Sequence, residues 1–471
     1  MSKISYTTNF QGIFCDKRLD KRGDIIGSAV INSKGSSINS ITKDEAEQKG
    51  MYRFLDNDEV NERKLIKELT YRCGLNVQDR DVLVLADTSN IGLSKHVNHL
   101  KPASGLGLVG NKLGTGFLAH CSLVIDSNNK TMLGFSDVHL WHREEDKSNN
   151  TTRIYKKQFI EEKESFRWIE SSRKSKEVLE SAKSITIIED REGDIYEQFC
   201  LIPDSKTNLL IRSRDNRKLA NGAKLYETLT SSPLAGTYDF QVESDKRKNR
   251  EKRLATIEVR YEKVLINKPA GKIAKDLPNH LELYAVEAKE INGPKTDEIK
   301  WRILTTHPIT TFEEALDVIN KYRLRWYIEQ VFRLFKKQGL RIEDSELTSG
   351  WAIRKLFVLL LNNVLRTMQL LLAYNNQNSQ PTNEVFNNEE RECLRVLEIK
   401  FAGKKNQVGN NQSDDKLIWA SWIIARLGGW KGNPKQRPPG PITIKRGLDK
   451  FDLICQGWAL ANKMQKDVST R

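Results

Sequence analysis

An α/β protein with helical ends is the fold class this sequence predicts, and three observations predict it. Two short apolar runs, "DVLVLAD" (81–87) and "SITIIED" (184–190), are β-rich and each ends on an acid. A long stretch between about 206 and 308 is rich in strand-forming residues, and helical patterns dominate before and after it. At 471 residues the chain has room for two or three domains. The expected division is a helical N-terminal domain over 1–75, an α/β domain over 76–370 with the β-rich insertion inside it, and a helical C-terminal domain over 371–471.

Taken in order, Thr42 with Glu45 forms a capping-box pattern ahead of "AEQKGMYRFL", and a further helix runs through "VNERKLIKELTYR". A small, charged helical module of this kind suits DNA binding, and a helical capping domain would read the same way. The insertion holds five candidate strands: "TNLLIRSR", "YDFQVES", "LATIEVRYEKVLI", "HLELYAVEAKEI" and "KWRILTTHP". A basic turn, "DKRKNREKR" (245–253), joins two of them. Polar linkers at 375–381 and 403–416 break the helices that follow, and "LIWASWIIARLGGW" reads as an apolar helix with a Gly-Gly stop.

Bulk composition narrows the partners. There are 77 Lys+Arg against 62 Asp+Glu, a formal charge of +15, which points to a polyanion and to nucleic acid ahead of membrane. The six cysteines (15, 73, 121, 200, 393, 455) are scattered with no CxxC pair, which excludes a zinc ribbon and suits a reducing cytosol. "MSKISYTTNFQGIF" lacks a long apolar core, so no signal peptide is expected. The most apolar run, Leu356–Tyr374, carries Asn362, Asn363 and Arg366 and reads as a buried helix rather than a membrane span. A soluble, cytoplasmic protein is the expectation.

The chemistry is expected at Asp87, Asp190 and Glu329. Asp87 and Asp190 end their strands, where α/β sites usually lie, although Asp is also a common turn or N-cap residue. Glu329 falls in "YRLRWYIEQVFRLFKK" (322–337). On one helix at about 100° per residue, with Tyr322 at zero, Arg325 falls near −60°, Glu329 near −20° and Lys336 near −40°. These four share one stripe, and Leu324, Ile328, Val331 and Phe335 face the other way. The plain reading is an amphipathic helix with an Arg325–Glu329 pair worth a few tenths of a kcal/mol. The functional reading adds the two aspartates. Three carboxylates at one point repel unless cations join them, and hard oxygen ligands suit Mg²⁺ or Mn²⁺. Two such ions about 4 Å apart can activate water and stabilise a leaving oxygen at a phosphodiester. Tyr322, Arg325 and Lys336 would hold the phosphates.

These residues resemble the Y-x2-R-x3-E-x6-K motif of the bacterial IS-four family of DDE transposases, as Tyr322, Arg325, Glu329 and Lys336. "ADTSNIGLSKH" around Asp87 and "EDREGDIYE" around Asp190 are similar to its Tn-five branch. "KWRILTTHPITTFEEALDVINKY" leads into the motif as in that branch, with Trp301 where the base-stacking tryptophan stands, and "IRSRDNRK" puts Arg212 at a DNA-contact position. "GMYRFLDN" resembles the DNA-binding domain and "IARLGGW" the dimerisation domain, so the likeness covers nearly the whole chain. "KGNPKQRPPGP" departs from it. The resemblance implies an RNase H-like catalytic core with two Mg²⁺ (or Mn²⁺) ions on Asp87, Asp190 and Glu329. It further implies double-stranded DNA partners (transposon ends and target), a homodimer in the synaptic complex, cut-and-paste transposition through a hairpin, and action on the bacterial nucleoid.

Other motifs are weaker. "GLGLVG" (105–110) fits G-x-G-x-x-G but is followed by another Gly turn and a strand, so a glycine-rich loop between strands is expected rather than a nucleotide site. His96 and His99 lack partner ligands for zinc. The basic turn reads as a solvated hairpin tip, with a DNA-backbone role as the alternative, and Asp194 and Glu197 as solvent-facing or supporting groups on the helix after Asp190.

Overall fold

The computed structural model describes residues 7–93, 99–101, 104–109, 114–143, 158–243, 250–271, 275–294, 296–336, 339–378, 380–401, 409–433 and 436–469. The chain opens with helices α1 (Lys17–Ile31), α2 (Ile38–Ile41), α3 (Glu45–Asp56) and α4 (Glu62–Asn76). Strands β1 (Asp81–Gly92), β2 (Gly107–Val109), β3 (Gly114–Asp126) and β4 (Met132–Trp141) follow, then α5 (Phe166–Val178), β5 (Ser184–Glu189), α6 (Tyr196–Leu201) and β6 (Thr207–Arg212). Next come α7 (Leu225–Ser231), β7 (Gly236–Val242), β8 (Arg253–Asn267), β9 (His280–Glu290) and β10 (Lys300–Thr305). The last helices are α8 (Phe312–Leu324), α9 (Trp326–Phe335), α10 (Gly350–Asn376), α11 (Asn388–Phe401), α12 (Leu417–Leu427) and α13 (Pro441–Ser469).

Two compact units divide this mixed α/β chain. The first comprises residues 1–81, 88–145 and 328–471; the second comprises 82–87 and 146–327.

In the first unit, α1, α3, α4, α12 and α13 all pack on α10. That helix is the one long and apolar enough to cross a membrane among the described residues, yet its apolar window is entirely buried in protein. Its polar residues are there to tie neighbours down. Asn363 Nδ2 donates to the carbonyls of Val30, Ile31 and Ser33 at 3.1, 2.8 and 2.9 Å, and Lys355 Nζ to those of Leu55 and Asn57. Each satisfies orphan carbonyls at a helix end, where an unpaired buried group would cost a few kcal/mol. The cap of α3 is Asp44, whose carboxylate accepts from Glu47 N at 2.8 Å, and not Thr42, which follows α2 and whose hydroxyl donates to Ile38 O. Part of the glycine-rich segment is strand β2, antiparallel to β3. Gly105, at φ +84°, lies so close to Trp351 that a Cβ would sit 2.6 Å from the indole, so close packing explains that glycine. His96 and residues 110–113 lie outside the described residues.

In the second unit the strands run in the order β1, β5, β6, β10, β9, β8, β7, and the sheet is mixed. β5 and β6 pair in parallel; every pair from β6 outward is antiparallel. Burial follows sequence: β5, with Ile185, Ile187 and Ile188 about Thr186, is buried almost throughout, whereas β8 alternates and covers one face. The "DVLVLAD" strand does not end at Asp87. It continues through Thr88, Ser89, Asn90 and Ile91 to Gly92, so Asp87 lies mid-strand, where its first, second-unit half gives way to its second. Of the basic turn, residues 245–249 lie outside the described residues. Arg253 is no solvated tip residue, for it pairs with Glu290 at 2.7 Å and Asp297 at 3.3 Å.

His307, just beyond β10, shares a hydrogen bond of 2.9 Å with Thr186 Oγ1. Burial, with Lys321 beside it, lowers its pKa to about 4. The unfolded chain therefore takes up this proton first as pH falls. Stability from this group is full above about 6.5 and is lost as pH falls toward 4, by about 3 kcal/mol in all. His307→Gln is expected to flatten the urea midpoint between pH 7 and 4.5; an unchanged pH slope would show that His307 titrates normally.

Candidate functional site

The second unit gathers six of the eight expected site residues. Asp87, on β1, accepts from Arg325 Nη1 through Oδ2 at 2.9 Å, and the two side chains are only 17% and 15% exposed. Arg325 also lies within hydrogen-bond reach of the Tyr322 hydroxyl. Burial pushes that hydroxyl above its usual range; Arg325 and Arg212 pull it back, and the Asp190 carboxylate adds to the rise. Tyr322 thus stays a hydrogen-bond donor, with two guanidiniums and a carboxylate around it. Its ring meets Trp301 at 6.3 Å, and Trp301 meets Phe240 at 6.1 Å. Arg212 Nη2 donates to Lys300 O at 3.3 Å, next to Trp301.

Glu329 and Lys336 belong to the first unit, Glu329 in the first turn of α9 and Lys336 just past its end. The single helix expected over 322–337 is instead two helices, α8 and α9. The interruption is at Arg325, whose N–H donates to Tyr322 O at 3.0 Å, a three-residue step. Tyr322 is buried at 6% exposure; Ile328, Val331 and Phe335 are buried as expected, and Leu324 is half-buried.

Asp190 follows β5 directly and caps a short 3-10 turn, Arg191–Gly193, its Oδ1 accepting from Glu192 N at 2.8 Å. Oδ2 makes no hydrogen bond to the described residues. Beneath it lies a feature that the sequence reading missed. Glu189 is fully buried and accepts from Gln198 Nε2 at 2.6 Å and from Ser172 Oγ at 3.2 Å. Burial, and more weakly Asp190, raise its carboxyl well above the usual range. The turn fits over this carboxyl because Gly193 has no Cβ; one would sit 2.0 Å from Glu189 Oε2. The residues past the turn differ from expectation as well. Asp194 is buried, accepts from Arg217 Nε at 3.0 Å and from Arg214 N at 2.8 Å, and so holds the segment after β6 against the turn. Trp326, which the reading also passed over, is 57% exposed immediately after Arg325.

Among the described residues no three His, Cys, Asp or Glu come together as a ready metal site. The donor chemistry nonetheless fits a hard divalent ion: Asp190 offers an open carboxylate oxygen, and Asp87 is held in place by a cation rather than buried in apolar surroundings.

Carboxylates beside a tyrosine and two arginines make a site suited to phosphate groups. Two family models then match the sequence: one described as transposase DNA-binding over residues 7–60, and one described as transposase DDE domain over residues 171–363. Together they support a DNA transposase of the DDE kind, whose domains generally depend on divalent metal. The DDE match includes Asp190, Arg212, Trp301, Tyr322, Arg325, Glu329 and Lys336; Asp87 precedes it. Among solved structures, the cryo-EM structure of a piggyBac transposase synaptic complex with hairpin DNA is similar over 87% of this chain and 80% of that one. Identity is 10% and the TM-score 0.32, too loose a likeness to carry an argument.

Proposed function

We propose that this chain is a cut-and-paste DNA transposase of the IS-four family, Tn-five branch. The observation that carries the reading is the cluster in the second unit, where Asp87 is salt-bridged to Arg325 and Tyr322 stands near Arg325, Arg212 and Asp190. An RNase H-like core carries the site, with the β-rich segment 206–308 inserted in it, a DNA-binding domain over 1–75 before it and a dimerisation domain over 371–471 after it. Asp87, Asp190 and Glu329 are the metal-holding acids. The support for Glu329 is its place in the motif, four residues after Arg325. Two Mg²⁺ ions, or Mn²⁺, would supply an activated water and charge stabilisation at the leaving oxygen.

The chain's own groups do the positioning. Arg325 orients Asp87, and Tyr322, Arg325 and Lys336 bind the phosphates flanking the cut. Hydrolysis frees a 3′-OH on one strand; that 3′-OH attacks the opposite strand's phosphodiester, which closes a hairpin and releases the flanking DNA with its own 3′-OH, and a second hydrolysis opens the hairpin before joining to target. The working assembly is a homodimer on two transposon ends, acting on the nucleoid in the bacterial cytoplasm.

The test uses the full chain, Mg²⁺, a supercoiled target plasmid and a duplex taken from the DNA flanking the gene, where inverted repeats would mark the ends. Plasmid joined to the duplex is the expected product. Cleavage without joining would make the protein a metal-dependent nuclease, and binding without cleavage a non-catalytic end-binding protein.

A further inference from the structure

α4 follows the span matched as the DNA-binding domain, and one of its faces is chemically unusual. At about 100° per residue, Arg63, Gly74, Lys67, Tyr71, Lys64 and Leu75 fall within about 120° of arc. No acid falls within that arc. The opposite side is packed: Leu65, Leu69 and Cys73 are buried, and Arg72 is bound to Glu68 at 2.6 Å and to Asn362. On the outer face Lys64 pairs with Glu59 at 2.9 Å. Arg63, Lys67 and Tyr71 are exposed and make no side-chain hydrogen bond or ion pair with the described residues. Tyr71 is 64% exposed and Leu75 is 52% exposed.

Two physical points argue against an idle solvated face. Arg63 is the second residue of the helix, after the Asn61 cap, where the helix dipole disfavours a cation. A large aromatic ring and a leucine are also left in water beside the unpaired cations, where a folded protein gains nothing from them. Both features make sense with a polyanion on this face. Arg63, Lys67 and Tyr71 step about 6 Å apart along the axis, so two cations and a phenol can follow one phosphate backbone. A second copy of a chain with net charge +15 would be repelled by the same cations.

We propose that this face of α4 is a DNA-backbone contact, with Arg63 and Lys67 on phosphates and Tyr71 on phosphate or sugar. It rests on the transposase reading and assigns, within the proposed 1–75 domain but beyond the matched span 7–60, the face that meets the backbone. Backbone contact is independent of base sequence, so the probe is a labelled 30-base-pair duplex of arbitrary sequence, titrated with the full chain from 50 to 300 mM NaCl. Removing two phosphate contacts should reduce the slope of log K against log[salt] by about 1.8, so Arg63→Ala/Lys67→Ala is expected to show that loss. Tyr71→Ala should bind about threefold more weakly, with the slope unchanged. Lys263→Ala/Arg395→Ala removes two ion-paired cations elsewhere and should leave the slope as in the native chain. An unchanged slope in Arg63→Ala/Lys67→Ala, or an equal fall in the control pair, overturns the α4 contact. Absence of any duplex binding by the native chain at 50 mM would instead overturn the transposase reading itself.

Discussion

Asp190→Asn is expected to fold, to bind DNA ends and to cut them about 1000-fold more slowly or worse, because the charge that would hold a divalent ion is gone. The variant is a clean probe for a structural reason. Oδ1 of Asp190 caps the turn by accepting from Glu192 N, and an asparagine keeps that oxygen, so the cap survives while the charge is lost. Asp87→Asn should reach the same floor with some loss of stability, since Arg325 would then sit at 15% exposure beside a neutral partner. Glu329→Gln should match both. Combining any two should lower the rate no further, because groups acting on one pair of ions do not add. The measurement is nicking of a labelled end duplex in Mg²⁺ and in Mn²⁺, alongside end binding. Full nicking by Glu329→Gln would remove Glu329 from the site, and loss of end binding in Asp190→Asn would mean that the substitution damages the fold instead.

How far the sequence showed this site differs from residue to residue, for physical reasons. The strand at 184–189 was legible because Ile185, Thr186, Ile187 and Ile188 are all β-branched, and so was Asp190 at its end. α10 was legible because its few polar residues sit in a run too apolar for a surface. The strand that carries Asp87 was legible, but its length was not: Thr88, Ser89 and Asn90 are polar, yet β1 continues through them to Gly92. The break at Arg325 was invisible because nothing in "YRLRWY" is a helix breaker; a single three-residue hydrogen bond makes it. Glu189 was hidden for another reason. An acid beside an acid reads as surface, and the groups that satisfy it, Gln198 and Ser172, are 9 and 17 positions away. Gly193 was the available signal, since a glycine between two acids in a turn needs a cause.

Trp301→Ala separates transposition from plain nuclease action. Forming a hairpin bends one strand sharply back on the other and unstacks a base beside the cut, at a cost of a few kcal/mol. An aromatic ring that stacks on the displaced base recovers about 1–3 kcal/mol of that. Trp301, the second residue of β10, pairs in register with Ala288 of β9 and meets Tyr322, the phosphate-binding tyrosine of the proposal. It is half-buried rather than enclosed, so its truncation should cost less than the roughly 3–5 kcal/mol of a fully buried tryptophan. The variant is therefore expected to fold and nick at close to native rates while the ratio of hairpin to nicked product falls about tenfold or more. An abasic position at the displaced base removes most of the unstacking work and should restore hairpins in part. If Trp301 serves only packing, thermal stability, nicking and hairpin formation will fall together and the abasic substrate will rescue nothing. An unchanged ratio on both intact and abasic ends would return Trp301 to the wall it shares with Phe240.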